Sequence, residues 1–261
     1  MSWTVEFNNT VCTDIRLQPV ERPTIPAPEY DYEEVEIKGR DGTLLIDNKR
    51  RKPIEIELEF NYIGAETEWA QIWRAARKWL SAKNAPLVFS DDPDYYYRVS
   101  YVKLEENVRV TKRIGRFKTK FVCDPYIYLK AGNVEWKQEL TPVYLSTADG
   151  DKILDAGGDL IFSTCLSKTI LNALDRCCPI YRIVGKGVCS FSVNGNWMHA
   201  TVDGEIIIDT EREVAYKPDG EKASRKITGD YEQLRLVSGK NELMTGSAFD
   251  FYITPLSLIH I

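Results

Sequence analysis

The residues that could do chemistry are few. The chain has two histidines, His199 and His260, and six cysteines. A nucleophilic mechanism needs a base within hydrogen-bond reach of a serine or cysteine. His199 is the candidate base, but it falls in Trp197-Met198-His199-Ala200, a strand-like context, while His260 is next to last. No Gly-x-Ser-x-Gly phrase is present. Carboxylates cluster in Ser90-Asp91-Asp92-Pro93-Asp94. A glycosidase sets two carboxyls on either side of a scissile bond, whereas these crowd into a proline turn and suit capping of their own backbone. Asp149, Asp151, Asp155 and Asp159 lack the residue order and closing glutamate of a calcium loop.

The cysteines (Cys12, Cys123, Cys165, Cys177, Cys178, Cys189) contain no CxxC pair, and with two histidines they do not compose a zinc set. They are expected to be reduced core residues. Gly185-Lys186-Gly187 follows a strand, but the third glycine of a dinucleotide fingerprint is replaced by Ser190, so it reads as a hairpin turn. Asn8-Asn9-Thr10 has the form of a glycosylation acceptor without a secretory route to use it. Trp197 is the candidate saccharide contact, since aromatic rings on β-sandwiches stack on sugars; its alternative is ordinary burial. The expectation is therefore no catalytic residue, no metal and no cofactor.

The 261 residues suffice for two domains with cores of their own. Hydrophobic content is 43% and aromatic content 11%, values of a globular chain. No apolar run approaches a membrane span, and the N-terminal residues carry no basic leader or apolar stretch, which leads to the expectation of cytoplasmic synthesis. Residues 1–133 balance 21 basic against 21 acidic groups, and residues 134–261 carry 13 against 18. Neither half is basic overall, which disfavours nucleic-acid recognition.

Strand patterning dominates the elements that would position these groups. In Ile54-Glu55-Ile56-Glu57-Leu58-Glu59-Phe60, period two puts the apolar residues on one face and three glutamates on the other. Phe117-Lys118-Thr119-Lys120-Phe121 repeats the pattern, and Tyr97–Tyr101 is a noisier version. Arg40-Asp41-Gly42-Thr43 carries an Asp-Gly turn signal between two strand-like runs, predicting a hairpin. The basic run Lys49-Arg50-Arg51-Lys52 could pair across it with Glu33, Glu34 and Glu36.

One helix is predicted over about 67–80, with Trp69, Ile72, Trp73, Ala76 and Leu80 on one face and acids at its start. The alternation stops near residue 130, and Lys130-Ala131-Gly132-Asn133 reads as a loop. Beyond it come short strands, among them Ile180–Gly185, Ser190–Gly195, Glu205–Asp209, Leu234–Val237 and Phe249–Ile253. They are punctuated by turns at Asn194-Gly195, Asp203-Gly204 and Ser238–Asn241, a pattern of sandwiches and jelly rolls. No internal repeat is read. The domains are placed at 1–132 and 133–261.

Taken in order, phrases of the first 130 residues resemble the N-terminal domain of distal tail proteins (Dit) of long, flexible-tailed bacteriophages and prophages. They are Phe7-Asn8-Asn9, Gly39 to Leu44, Pro53 to Leu58, Arg77-Lys78-Trp79-Leu80 ending the Trp-rich helix, and Leu87 to Pro93. Tyr96-Tyr97-Arg98-Val99 and Gly115 to Tyr126 complete the series. Pro179 to Gly185 and Gly239 to Leu243 are similar to phrases of the second domain, whereas Leu160 to Cys178 departs from it.

The resemblance implies a mainly β fold: an α+β N-terminal domain with one prominent helix, then a galectin-like or carbohydrate-module-like β-sandwich. It implies a structural virion protein of the tail tip, assembled in the host bacterial cytoplasm. The implied assembly is a homo-oligomeric ring, a hexamer or a dodecamer of two rings. It would join the tail tube protein to the baseplate hub, a tail-associated lysin or a tail fibre hub, around a DNA channel. Arg40, Asp41, Gly42, Thr43 and Leu44 are then the candidate inter-subunit hairpin, and a host-surface saccharide on Trp197 is the alternative role.

Overall fold

The computed structural model describes residues 3–39, 41–63, 65, 67–110, 113–158, 160–246 and 249–261. The chain forms two compact units, one reaching to Lys130 and including Ile259–Ile261, the other spanning Ala131–Leu258.

The first unit contains β1 (Val5–Phe7), β2 (Thr10–Val11), β3 (Leu17–Pro19), β4 (Tyr30–Glu36), β5 (Thr43–Arg51) and β6 (Ile54–Ile63). These are followed by α1 (Trp69–Leu80), β7 (Ala85–Phe89), β8 (Asp92–Arg109) and β9 (Ile114–Leu129). Its main sheet has the order β2-β1-β7-β8-β9-β6-β3, all antiparallel, while β4 and β5 form a separate two-stranded sheet.

The β6–β9 pair carries out the expected period-two division. Ile54, Ile56, Leu58 and Phe60 lie opposite Cys123, Phe121, Thr119 and Phe117, and all eight are buried. On the other face Lys120 meets Glu57 at 2.8 Å, Arg116 meets Glu59 at 3.2 Å, and Lys103 of β8 meets Glu55 at 2.5 Å. The Lys120 ammonium holds the Glu57 carboxyl below its usual range. Such exposed pairs add roughly 0–1 kcal/mol each; their larger effect is on register, because a one-residue slip would bury every charge.

The helix begins at Trp69 rather than near 67, because Glu68 is the cap residue. Its carboxylate accepts from the Ala65 amide at 3.0 Å and pairs with Arg16 at 3.0 Å, so it serves the preceding turn. Glu66 lies outside the described residues. The predicted stripe packs on the sheet, joined by Trp79, which the spacing had not placed on it. Trp79 stands edge-on to Phe7 and Phe60 at 5.8 and 5.7 Å, and its indole N–H donates to the Phe7 carbonyl at 2.9 Å. Two further rings, Tyr62 and Trp69 with centroids 4.9 Å apart, lie over Gly115 of β9. A methyl group at Gly115 would collide with both.

The second unit contains β10 (Trp136–Lys137), β11 (Thr141–Tyr144), β12 (Phe162–Asn172), β13 (Ile180–Val193), β14 (Asn196–Asp209) and β15 (Val214–Tyr216). It continues with β16 (Ile227–Thr228), β17 (Gly239–Gly246) and β18 (Asp250–Thr254); β19 (Leu258–His260) closes the chain and pairs with β9. It is a β-sandwich built on one long hairpin. β13 and β14 pair without interruption from Ile180↔Asp209 to Val193↔Asn196, around a tight turn in which Asn194 and Gly195 have φ of 52° and 81°. Type I′ turns require these positive values. Along its other edge β13 pairs first with β18 and then with β17, and β14 pairs with β16 and then β15.

The change of neighbour occurs at the cross-strand pair Gly185↔Gly204, with φ of 88° at Gly204 and 120° at Gly187. Glycine bends of this kind let one strand pair serve both layers. Two expectations are thereby corrected: Gly185-Lys186-Gly187 and Asp203-Gly204 are not turns but the bend within β13 and β14. The three short strands read there are parts of two long ones. Leu234–Val237 likewise forms no strand, since Tyr231–Leu234 is a 3-10 turn and Leu236 makes an isolated bridge to Cys177.

An eight-residue recurrence, absent from the sequence reading, organises the excursion between β11 and β12. Leu145 donates to Ile161, Ile161 to Ile153 and Ile153 to Leu145, closing a triangle of backbone hydrogen bonds of 2.9–3.0 Å. Two equivalent turns join the corners, each with an i→i+3 bond, Gly150 to Thr147 and Gly158 to Asp155.

Replacing Gly115 by alanine forces Trp69 and Tyr62 apart and is expected to cost about 1–3 kcal/mol, the usual range for overpacking. Urea unfolding measures it; an unchanged midpoint would show that the rings do not seat on that glycine.

Candidate assembly surface

The structure accounts for most of the chemically suggestive phrases as scaffolding. Asp91 in the acidic proline turn is ion-paired with Arg22, whose guanidinium lies 5.2 Å from the Phe89 ring centre. Ser90 accepts from the Thr4 amide at 2.8 Å. Asp155 accepts from the Gly157 amide at 2.9 Å, and Thr147 from that of Asp151 at 3.2 Å, so that loop caps its own turns. Asp159 lies outside the described residues. Among the described residues no group of three or more potential ligands could hold a metal.

Sequence reasoning missed one pairing. Strands joined by a two-residue turn at Asn194-Gly195 place Ser190 opposite His199, and Ser190 Oγ lies 2.8 Å from His199 Nδ1. The signal was available in the turn itself, through the register it imposes. No carboxylate among the described residues hydrogen-bonds to that imidazole, and both side chains lie on an open strand face. Trp197 is on the same face, 50% exposed, with Ser192 opposite it.

The six cysteines are thiols, with Cys12, Cys123, Cys177 and Cys189 buried. Burial pushes the Cys177 thiol up to about 12 and the Cys189 thiol up to about 11. Thiols held this far from ionisation are inert core groups rather than nucleophiles.

The feature with no internal explanation is the hairpin of β4 and β5. The register Glu33↔Ile46, Glu34↔Leu45, Val35↔Leu44 and Glu36↔Thr43 divides it into two faces. One carries Glu33, Val35, Leu44 and Ile46; the other carries Tyr32, Glu34, Glu36, Leu45 and Asp47. Leu45 is 58% exposed, and Tyr32, Leu44 and Ile46 are also exposed. The predicted pairing of the basic run with Glu33, Glu34 and Glu36 is corrected by this register, which sets those acids against residues nearer the tip. The bases pair at the root instead: Arg50 meets Asp31 at 2.5 Å and Lys52 meets Glu29 at 3.5 Å. Arg51 stacks over Tyr30 at 5.2 Å and donates to the Ile261 carbonyl at 2.7 Å. Asp41, Gly42, Thr43 and Leu44 occupy the tip and the start of β5, and Arg40 lies outside the described residues. A lone two-stranded sheet is at best marginally stable in water, so this arm has the make-up of a segment completed by a partner.

Residues 12–123, nearly all of the first unit, match the phage tail protein RIFT-related domain family. The first unit is thus similar to a phage tail domain. Over the whole length the fold is similar to that of one solved distal tail protein. The crystal structure of SPP1 Dit (gp 19.1), described as a paradigm of the hub adsorption apparatus in phages infecting Gram-positive hosts, superposes with a TM-score of 0.57 at 14% identity. The alignment covers 97% of this chain and 98% of that one. A comparison with curated protein sequences finds no match. Among the described residues no helix is long and apolar enough to cross a membrane. The first unit thus carries the exposed arm, and the second unit carries the open Trp197 face.

The buried thiols give a sign for the pH dependence. Folded Cys177 stays protonated where the unfolded chain would ionise it, near 9. Its contribution is therefore whole below pH 9 and is lost as pH rises toward 12, at no more than about 1.4 kcal/mol per pH unit. Urea unfolding between pH 8 and 10.5 should show a shallower decline for Cys177→Ala than for the native chain. Parallel curves would refute the assignment.

Proposed function

We propose that this phage tail protein is the ring subunit at the distal end of a long non-contractile tail. Six copies encircle a DNA channel, as one ring or as two stacked rings, and join the tail tube to the baseplate hub or tail-associated lysin. The observation that carries this reading is the exposed arm of β4 and β5 on the phage tail domain. It presents large apolar side chains on both faces and is tied down only at its root. A head-to-tail contact that closes after a fixed rotation requires one such projection and one receiving surface per copy. The likeness in fold to SPP1 Dit supports the same reading, since that protein is described as part of a hub.

A second role is supported by Trp197. Half exposed on a strand face beside His199 and Ser190, it has the composition of a platform on which a sugar ring stacks while the Ser190 hydroxyl and the imidazole meet its polar edge. Host-surface saccharide binding is compatible with the structural role, because it uses the second unit.

Light scattering on the full chain is expected to give a mass of six or twelve protomers. Replacing residues 40–48 with a short linker should leave a folded monomer; rings that persist would remove the arm from the interface. A glycan array probed with the full chain should show binding that Trp197→Ala reduces at least tenfold, and a blank array removes the second role.

A further inference from the structure

The arm of β4 and β5 joins the main sheet at a point that the chain reaches twice. β6 pairs with β9 only as far as Ile54↔Cys123, and the arm ends at Arg51, three residues before Ile54. β9 itself continues to Leu129, with β8 along its other edge to the end. An open edge there would leave backbone donors and acceptors without partners. β19 pairs with β9, and since β8 holds the other edge, it takes the one that β6 has given up. Ile261, which follows it, packs against the core of the first unit. The first unit is therefore discontinuous in sequence: residues that complete its sheet come after the whole of the second unit.

Ile261 also meets the arm at its root. Arg51 Nη1 donates to the Ile261 carbonyl at 2.7 Å. The other polar contacts of residues 29–52 are internal to the arm. Arg50 and Asn48 meet Asp31, Lys52 meets Glu29, and the Lys52 amide donates to the Glu29 carbonyl at 2.8 Å. Among the described residues, no other hydrogen bond or ion pair joins these residues to the remainder of the unit. A two-stranded arm is marginal by itself, so this one tie decides whether it points in a fixed direction or swings on its two strand ends. A guanidinium suits the task. It stays charged, its donors form a rigid fork, and its plane is held by stacking over Tyr30 at 5.2 Å.

We propose that residues 258–261 are a latch: seated on β9, they hold the arm in one direction through Arg51. An arm whose latch is unmade swings about its root. The direction is a property of a single copy, so it does not depend on the ring reading. It has a consequence for timing, because the arm is synthesised early and its latch only after the second unit. The arm thus gains its direction late, once both units have been made. A projection oriented beforehand loses less freedom when it binds, whatever receives it.

Single-molecule FRET on the full chain tests the latch, with bio-orthogonal dyes at Asp41 near the arm tip and Lys78 on the outer face of the helix. Every copy carries both dyes, so brightness selects single chains and excludes assemblies. The native chain is expected to give one narrow transfer peak. Deleting residues 258–261 should broaden or split that peak. Arg51→Ala, which leaves β19 in place, should do the same. Tyr30→Leu keeps the Arg51 donor, and Arg50→Ala breaks a pair internal to the arm; both should leave the peak narrow. Circular dichroism confirms the fold of each variant. A native-like peak in Arg51→Ala overturns the latch, as does a broad peak in the native chain. A Tyr30→Leu peak as broad as that of Arg51→Ala overturns it too, by placing the effect in the ring stack.

Discussion

The first unit depends on the antiparallel pairing of Ile54–Ile63 with Ile114–Leu129. Alternation on both strands makes one face of this pair largely apolar and the other largely charged. The apolar face receives the tryptophans of the helix, and the charged face penalises any change of register. β6 flanks β9 as far as Ile114, so the register fixed at the core is carried to the first residue of that strand.

The same economy appears in the second unit, where one long hairpin bends at a glycine pair and supplies strands to both layers. Each half then nucleates its own neighbours. Polar groups secure its ends: Asn194, on the exposed turn, donates to the buried Asn241 at 2.9 Å, and the buried Tyr181 hydroxyl donates to the Leu234 carbonyl at 2.7 Å. A buried acceptor is costly to leave unpaired, so Asn241 ties the turn next to Trp197 to the core. The open strand face follows from a rigid scaffold rather than from a dedicated loop.

In this protein the acids cap turns, the cysteines fill the core, and the histidine meets a serine across a strand pair. What stands out instead is unsatisfied make-up: Tyr32, Leu44, Leu45 and Ile46 are exposed on a hairpin that pairs with no other sheet.

By itself the sequence determined the local periodicities: the alternating strands, the helix face from Trp69 to Leu80, the Asp-Gly hairpin and the Asn-Gly turn. These depend on neighbours a few residues apart, whose spacing reports directly on which face is buried. The ordered phrases of the first 130 residues also pointed to a phage tail domain. Tertiary structure alone decided what those periodicities could not carry. It showed that Gly185 and Gly204 bend a continuous hairpin instead of ending strands, since a glycine permits either and only the partner strands choose. It showed the Leu145, Ile153 and Ile161 triangle, which backbone bonds rather than side-chain patterning create. It left Glu33, Glu34 and Glu36 unmatched by setting the register of the arm. Register and long-range pairing are properties of two strands at once, so a single strand read alone could not contain them.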